Sequence, residues 1–332
     1  MAGAAIFGCA GPVLSPAEAT FFRTADPWGF ILFARNIESA AQVIRLTNEL
    51  RAAVGRDAAI LIDQEGGRVQ RLRPPLARDW LPPLDQVRAS PRDRAARGLY
   101  LRYRIIAAEL RGLGIDANCA PVADIAGPGT HPFLRNRCLG ETAAEVAAHA
   151  RAVAEGLAGG GVVPVLKHAP GHGRAGTDSH KGLPRVAATR TELEATDFAP
   201  FAALADLPMA MTAHVVYPAL DPERPATLSP VVIDLLRHRI GLSGLLLTDD
   251  ISMGALSGSV AARSAAARAA GCDIVLHCNG DAAEMAAVAD AAGTLEGAAA
   301  ARADAALAAR RAPPPVDMAA LEAEFRAILP PA

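Results

Sequence analysis

The chain has 332 residues, of which 51 % are hydrophobic and 20 % are charged, and its formal net charge at pH 7 is −2. This composition can fill a large buried core and argues against a disordered chain. The charges form no block of one sign, which argues against a nucleic-acid or membrane-surface partner, because such partners require a concentrated basic face.

The sequence carries no signal for export or membrane insertion. No apolar run approaches the roughly 18 residues of a membrane span. No Lys or Arg precedes Arg23, so the charged region of a signal peptide is missing. The five cysteines are odd in number and include no CxxC pair, which is typical of thiols in a reducing compartment. We therefore expect a cytoplasmic protein without a membrane partner.

Short apolar runs alternate with helical segments along the chain. The predicted strands are the eight runs Ala4–Gly8, Gly29–Phe33, Ala59–Ile62, Ile115–Ala120, Val162–Leu166, Met209–Thr212, Gly244–Thr248 and Asp273–His277. Most are continuously apolar, as expected for parallel strands that are buried on both faces.

Helix signals lie between these runs. Capping boxes occur at Ser15, Ser39 and Thr189, and Ser229-Pro230 predicts a further helix start. The segments Arg92–Arg111 and Glu141–Leu157 have high helix propensity. Eight alternating strands and helices favour a single (β/α)₈ TIM barrel, with an open doubly wound α/β sheet as the alternative.

We expect residues 1–332 to form a single catalytic domain. From about residue 281 to residue 332 the sequence predicts a helical C-terminal tail, in which Arg311–Pro315 is a stiff break before a last helix at Met318–Leu329. No repeat of solenoid length is present, and a monomer is the default expectation.

Charged groups and imidazoles follow most of the predicted strands. They comprise Asp63–Arg71 after the third strand, Asp124, Arg135 and Arg137 after the fourth, the segment Lys167–His180 after the fifth, His214 after the sixth, Asp249 and Asp250 after the seventh, and His277 at the end of the eighth. Active sites of barrels form at the carboxyl ends of the strands, so these groups should meet on one rim. Asp124 and Asp250 could instead cap the next helices, and His214 and His277 are expected to be structural.

The segment after the fifth strand, KHAPGHGRAGTDSH (167–180), contains three histidines, a lysine and an aspartate. Two chemistries could use it. A metal could be held by His168, His172, Asp178 and His180. Alternatively, Asp178 could orient and charge His180 as an acid–base pair, with Asp249 or Asp250 opposite as a nucleophile.

Three motifs resemble those of glycoside hydrolase family 3, in particular its single-domain bacterial β-N-acetylglucosaminidases of peptidoglycan recycling. They are IDQEGGRVQRL (62–72), KHAPGHGRAGTDSH (167–180) and LLTDDISM (246–253), and weaker likenesses extend over roughly residues 29–280. The resemblance implies a retaining exo-acting enzyme without metal or cofactor. Its substrate would be a small sugar, GlcNAc β-linked to anhydroMurNAc in muropeptide fragments, cleaved through a covalent glycosyl-enzyme intermediate.

The resemblance also implies residue roles. Asp249 would be the nucleophile and His180 the general acid/base, with Asp178 as its partner. The non-reducing sugar would be held by Asp63, Arg71, Arg137, Lys167 and His168.

Two departures from the family pattern and three glycines also bear on these roles. Arg135 is an alternative to Arg137 as the sugar-binding arginine, because Cys138-Leu139 stands where the family pattern has an aromatic residue. Ala169 also stands where the family pattern has an aromatic residue. The glycines at 171, 173 and 176 suggest a loop that moves to bring His180 to the substrate.

Other functions stay open at this point. The same fold could cleave another β-glycoside or use phosphate instead of water as the acceptor, since a neutral histidine base repels phosphate less than a carboxylate does. A metal-dependent barrel hydrolase and a sugar-binding protein without turnover are the remaining alternatives.

Overall fold

The computed structural model describes residues 1–177 and 182–329. Within these ranges the strands are β1 (Gly3–Gly8), β2 (Pro27–Leu32), β3 (Ala59–Ile62), β4 (Gln64–Gly66), β5 (Val69–Gln70), β6 (Ala117–Asn118), β7 (Val163–Ala169), β8 (Met209–Thr212), β9 (Val216–Tyr217), β10 (Asp221–Pro225), β11 (Leu245–Leu247) and β12 (Val275–His277). The helices are α1 (Pro16–Ala25), α2 (Ala40–Val54), α3 (Pro83–Ala89), α4 (Ala95–Gly112), α5 (Pro132–Arg135), α6 (Ala143–Gly159), α7 (Arg190–Ala195), α8 (Ala199–Ala203), α9 (Pro230–Asp234), α10 (Val260–Ala270), α11 (Ala282–Ala292), α12 (Gly297–Ala308) and α13 (Met318–Ile328).

Eight parallel strands form a closed barrel. Their order is β1, β2, β3, β6, β7, β8, β11 and β12, and β12 pairs in parallel with β1. A parallel bridge between Leu247 and Ile274 joins the last two strands, and the Thr248 amide donates to the Ile274 carbonyl at 3.0 Å. The predicted (β/α)₈ TIM barrel is confirmed, and the alternative of an open sheet is wrong.

Each predicted strand coincides with a barrel strand, but the fifth is longer than predicted. The prediction ends at Leu166, whereas β7 continues to Ala169, so Lys167 and His168 lie on the strand itself. A strand can carry these two polar residues in the interior because carboxylates meet them. Lys167 Nζ lies 2.8 Å from Asp63 Oδ1, and His168 Nδ1 lies 2.7 Å from Asp124 Oδ2.

The fourth strand is shorter than the predicted Ile115–Ala120. Only Ala117–Asn118 forms a regular strand, and the Asn118 side chain bonds the backbone of the chain that leaves β3. Its Oδ1 accepts from the Gln64 amide at 2.9 Å and its Nδ2 donates to the Gln64 carbonyl at 3.0 Å. The chain leaving β3 is thereby held at the rim.

Most of the predicted helix starts are confirmed. Ser15 and Thr189 form complete capping boxes with Glu18 and Glu192, and Ser229 caps α9. The capping box at Ser39 is wrong in one half. Ser39 accepts from the Gln42 amide, but the Gln42 side chain does not bond the Ser39 backbone and instead donates to the carbonyls of Pro12 and Asn36.

A short hairpin follows β3 directly. Strands β4 and β5 pair in antiparallel fashion around the turn at Gly66 and Gly67, which have φ of +106° and +56°. A side chain at position 66 would collide with the Arg102 guanidinium, so glycine is required there for close approach as well as for its backbone conformation.

The last three helices pack against different parts of the barrel. Helix α11 packs against β1 and β12, and α12 packs against β11. Helix α13, which begins at Met318 as predicted, packs on α4, with the Phe325 and Trp80 rings 5.4 Å apart and Arg97 paired with Glu324.

Two further observations concern the cysteines and the length of the helices. The five cysteines are buried and form no disulfide. Among the helices in the described part of the chain, none is both long and apolar enough to cross a bilayer.

The amino-terminal side of the barrel is held by a buried ion pair, which gives a test of stability. Asp116 is 2 % exposed, accepts from the Ile60 amide at 2.7 Å and pairs with Arg51 at 3.0 Å and Arg310 at 2.7 Å. Asp116→Ala should lower the free energy of unfolding by about 3 kcal/mol, because it leaves two cations without their buried partner.

Asp57 is the matched control, because it pairs with the same two arginines while its side chain is 74 % exposed. Asp57→Ala should cost less than about 1 kcal/mol. Urea unfolding at pH 7 measures both variants, and equal losses would contradict the assignment of the buried pair.

Candidate active site

A cavity opens at the carboxyl ends of the barrel strands. Its polar lining residues are Asp63, Arg68, Arg71, Arg137, Lys167, His168, His172, Asp249 and Asp250, and apolar residues including Phe33, Phe133, Met211 and Met253 complete its wall. Six of the sequence-predicted site residues therefore face one space, although they come from the ends of four different barrel strands.

Asp63 follows β3 directly and is held by two cations. Its Oδ2 lies 2.9 Å from Arg71 Nη2, and its Oδ1 lies 2.8 Å from Lys167 Nζ. Burial by itself raises the pKa of Asp63, but the charges of Lys167 and Arg71 outweigh it and hold the pKa well below its usual range. Asp63 is thus ionised at neutral pH, with acceptor capacity left for hydroxyl groups.

Glu65 is the most important residue that the sequence analysis missed. Its side chain is fully buried and accepts hydrogen bonds from Arg137 Nε and Nη2 at 2.9 and 2.8 Å. It also pairs with Lys167 Nζ at 2.6 Å. A signal for it existed in the sequence. Residues two apart in an extended segment point to the same side, so Asp63 and Glu65 should have been taken together.

His168 is oriented by Asp124. His168 Nδ1 lies 2.7 Å from Asp124 Oδ2, and its Nε2 lies 3.3 Å from Arg137 Nη2. The other carboxylate oxygen of Asp124 accepts from the His172 amide at 2.6 Å. The expectation that Asp124 caps a helix is therefore wrong, because both of its oxygens are taken up by the β7 side of the cavity.

Asp249 and Asp250 follow β11 and differ in their surroundings. Asp249 lines the cavity and accepts only from the Asp250 amide, at 2.8 Å, among the described residues. Asp250 accepts from the amides of Ser252 and Cys278, at 3.1 and 3.2 Å, and does not cap helix α10, whose N-cap is Ser259. Asp249 is thus the carboxylate with lone pairs still available.

The electrostatic environment of Asp249 favours its ionised form. Burial raises the pKa of Asp249, but the neighbouring imidazoles of His214 and His168 and the Asp250 amide together lower it below its usual value. His214 is fixed between Thr227 Oγ1 at 2.8 Å and the Asp250 carbonyl at 3.0 Å. Its position supports the loop of Asp249 without lining the cavity.

The structure also distinguishes between Arg135 and Arg137, the two candidate sugar-binding arginines that follow the fourth predicted strand. Arg137 points into the cavity and pairs with Glu65. Arg135 points away, towards Glu141 at 3.1 Å and the Gly127 carbonyl. His277 likewise turns away from the cavity and bonds Glu284 at 2.9 Å.

Two of the predicted catalytic residues, Asp178 and His180, lie outside the described residues. The glycines that precede them are partly explained by packing. Gly171 has φ of +138°, and a side chain at Gly173 would collide with the Ile125 carbonyl. Gly176 has no atom within 4 Å of the place where a side chain would begin. The predicted motion of this loop therefore stays a prediction, and Gly176 is the position where a rigidifying substitution would test it without a collision.

The metal-site alternative draws no support from the residues that the structure describes. Over 1–177 and 182–329, no three His, Cys, Asp or Glu side chains are arranged to hold a metal ion. In addition, both ring nitrogens of His168 are occupied, by Asp124 and by a guanidinium that a metal ion would have to displace.

The fold and the cavity together define a class of protein. A (β/α)₈ barrel that gathers ionised carboxylates and hydrogen-bond donors at the carboxyl ends of its strands is a barrel enzyme for a polar, hydroxyl-rich substrate.

Comparison with known proteins narrows the class to a family. Residues 26–310 match the model of the glycosyl hydrolase family 3 N-terminal domain, so the chain belongs to that family. It is 39 % identical over 279 residues to a beta-hexosaminidase of Methylococcus capsulatus, covering 82 % of each chain. It is 39 % identical over 282 residues to a beta-hexosaminidase of Xylella fastidiosa, covering 82 % of this chain and 83 % of the relative.

Solved structures agree with this assignment. NagZ from Neisseria gonorrhoeae, in complex with N-trifluoroacetyl-D-glucosamine, superposes with a TM-score of 0.80 at 30 % identity and covers 99 % of both chains. A family 3 β-N-acetylglucosaminidase from a Paenibacillus strain has a TM-score of 0.80 at 33 % identity, covering 99 % of this chain and 62 % of that one.

His172 gives this site a pH-dependent stability. Its side chain is buried, and neither ring nitrogen has a hydrogen-bond partner within the described ranges. Burial lowers the pKa of His172 from 6.5 to about 4. Between these values the unfolded chain binds a proton that the folded chain does not, so the free energy of unfolding falls as the pH falls through this window.

We expect the wild-type protein to lose about 3 kcal/mol more than His172→Gln between pH 7 and pH 4, measured by urea unfolding. His238→Gln, at a side chain that is 79 % exposed, controls for removal of a solvated imidazole. Parallel stability curves for the wild type and His172→Gln would rule out this contribution.

Proposed function

We propose that the chain is a retaining exo-β-N-acetylglucosaminidase that releases terminal, non-reducing β-linked GlcNAc. Membership of family 3 makes it a glycoside hydrolase, and the beta-hexosaminidases among its relatives indicate the β-N-acetylhexosaminidase type. The observation that carries the proposal is that Asp249 faces the same cavity as the Asp63–Lys167 pair. A carboxylate available for bond formation thus lines the same cavity as the cluster proposed to bind the sugar.

Asp249 is proposed as the nucleophile. A retaining glycosidase needs an ionised carboxylate against the anomeric carbon, and it forms a covalent glycosyl-enzyme intermediate that water then cleaves. The pKa of Asp249 lies below its usual value despite burial, which supports its ionisation at the working pH. Asp250 is less suited, because Ser252 and Cys278 already occupy its carboxylate.

His180 is proposed as the general acid/base, with Asp178 holding and charging its imidazole. This part of the proposal rests on the motif GTDSH (176–180), since both residues lie outside the described ranges. An imidazole has a pKa near neutral pH, so it can protonate the leaving oxygen and then deprotonate water in the second step.

The proposed sugar-binding residues are Asp63, Arg71, Arg137, Lys167 and His168. Asp63 can accept from two neighbouring hydroxyls, while Lys167 and Arg137 can donate to hydroxyl oxygens through charge-assisted hydrogen bonds. Because the cations are already paired with carboxylates, the cluster is assembled before the sugar enters, which limits the reorganisation that binding requires.

The natural substrate is proposed to be a muropeptide fragment with GlcNAc linked to anhydroMurNAc, cleaved in the cytoplasm by a monomeric single-domain enzyme of residues 1–332. The likeness over 99 % of both chains to NagZ, which was solved with N-trifluoroacetyl-D-glucosamine, supports GlcNAc as the released sugar. The rest of this proposal rests on the resemblance of the three sequence motifs. We propose no cofactor, no metal and no nucleic-acid or membrane partner.

A substrate panel tests this proposal against its nearest alternatives. The wild-type enzyme should hydrolyse 4-nitrophenyl β-GlcNAc at least about 10²-fold faster, in kcat/KM, than the β-glucoside. Phosphate should leave the rate and the free-sugar product unchanged, and EDTA should leave the activity unchanged. Release of GlcNAc-1-phosphate would show that the enzyme is a phosphorylase and not a hydrolase. Absence of all turnover would favour a sugar-binding protein.

Labelling tests the nucleophile. A 2-fluoro sugar or another slow substrate should accumulate as an ester on the peptide that contains Asp249, and Asp249→Ala should lower kcat at least about 10³-fold because no intermediate can form. Asp250→Asn serves as the neighbouring control and should still be labelled at Asp249. A label elsewhere, or turnover retained by Asp249→Ala, would refute the assignment.

A further inference from the structure

Glu65 lies behind the cavity wall. Its side chain is fully buried and does not line the cavity, whereas its two partners, Arg137 and Lys167, do. The carboxylate binds Arg137 in bidentate fashion at 2.8 and 2.9 Å and Lys167 at 2.6 Å. Glu65 therefore touches the groups proposed to bind sugar, from the side away from the sugar.

The backbone of Glu65 is itself held in place by α4. The Glu65 carbonyl accepts from Tyr103 Oη at 3.1 Å and from the Arg102 guanidinium, and Arg102 in turn bonds Gln86 at 2.8 Å. A neighbouring side chain at Gly66 is excluded by Arg102. The position of the carboxylate is thus set by a buried helix and not by a mobile rim loop.

The charge balance makes Glu65 necessary for the present geometry. Asp63 and Glu65 together face three cations, which are Arg71, Arg137 and Lys167. Lys167 is shared between the two carboxylates, and Arg137 has no other carboxylate in contact among the described residues. Without the charge of Glu65, Lys167 would be drawn to Asp63 alone, and Arg137 would lose its bidentate partner while remaining largely buried.

We propose that Glu65 is a positioning residue, whose carboxylate holds Arg137 and Lys167 at the angle and distance at which they donate to the hydroxyls of the non-reducing sugar. The inference rests on the proposed function, because it takes these two residues to be sugar-binding. It adds a residue that contacts no substrate and acts through two that do.

The test is Glu65→Gln, which keeps the shape of the side chain and removes its charge. With 4-nitrophenyl β-GlcNAc, kcat/KM should fall about 10²-fold, because two charge-assisted contacts to the sugar are misplaced. The diagnostic readout uses the 3-deoxy, 4-deoxy and 6-deoxy analogues. For at least one of them the ratio of wild-type to variant kcat/KM should be at least about threefold smaller than for the parent substrate, because that substrate lacks a hydroxyl that one of the displaced cations binds.

Asp273→Asn is the matched control. Asp273 is also a buried carboxylate between two arginines, Arg237 at 2.5 Å and Arg302 at 2.6 Å, but it lies before β12, away from the cavity. Its loss should lower the melting temperature and leave the wild-type-to-variant ratio near one for every substrate. If Glu65→Gln does not fold, Glu65→Asp retains the charge on a shorter side chain and should show the same substrate pattern with a smaller loss.

The outcomes separate this inference from the function on which it rests. A wild-type enzyme that does not cleave the GlcNAc substrate overturns the proposed function and this inference with it. A wild-type enzyme that cleaves it, with a variant ratio that is the same for the parent and all three deoxy substrates, overturns the positioning role alone. A double variant Glu65→Gln/Arg137→Ala that is no worse than Arg137→Ala supports it, because the two residues then act as one unit.

Discussion

The site depends on one buried ammonium group. Lys167 Nζ lies within 2.8 Å of Asp63 and 2.6 Å of Glu65, with only 2 % of the side chain exposed. A buried charge is tolerated only when it is paired, and here the partners come from the chain that follows a different strand. Pairing therefore holds the ends of β3 and β7 together.

The barrel uses the same interaction at both of its ends for different purposes. On the amino-terminal side, Asp116 and Asp273 each bind two arginines, and these pairs lie away from the cavity. On the carboxyl side, the cations paired with Asp63 and Glu65 face open space, so they keep donors that a ligand can use. The difference between support and binding thus lies in what the cation faces and not in the ion pair itself.

Part of this arrangement could be predicted from the sequence, and part could not. The eight apolar runs identified the barrel strands, because strands buried on both faces must be apolar along their length. The prediction failed where polar groups are satisfied by distant partners: β7 extends through Lys167 and His168, and the Gln42 side chain leaves its cap for the carbonyls of Pro12 and Asn36. Local patterns contain no information about partners that are far away in sequence.

The sequence by itself determined the fold class, the family likeness and the set of polar residues on the rim, because periodicity and motifs are local and the barrel places every strand end on one side. Only the tertiary structure decided how these residues are connected. Arg137 faces the cavity and Arg135 does not, and Asp124 binds His168. Asp249 keeps lone pairs available, and Glu65 lies between Arg137 and Lys167. Each of these choices depends on distances between side chains that are separated by up to about a hundred residues, which no local pattern can express.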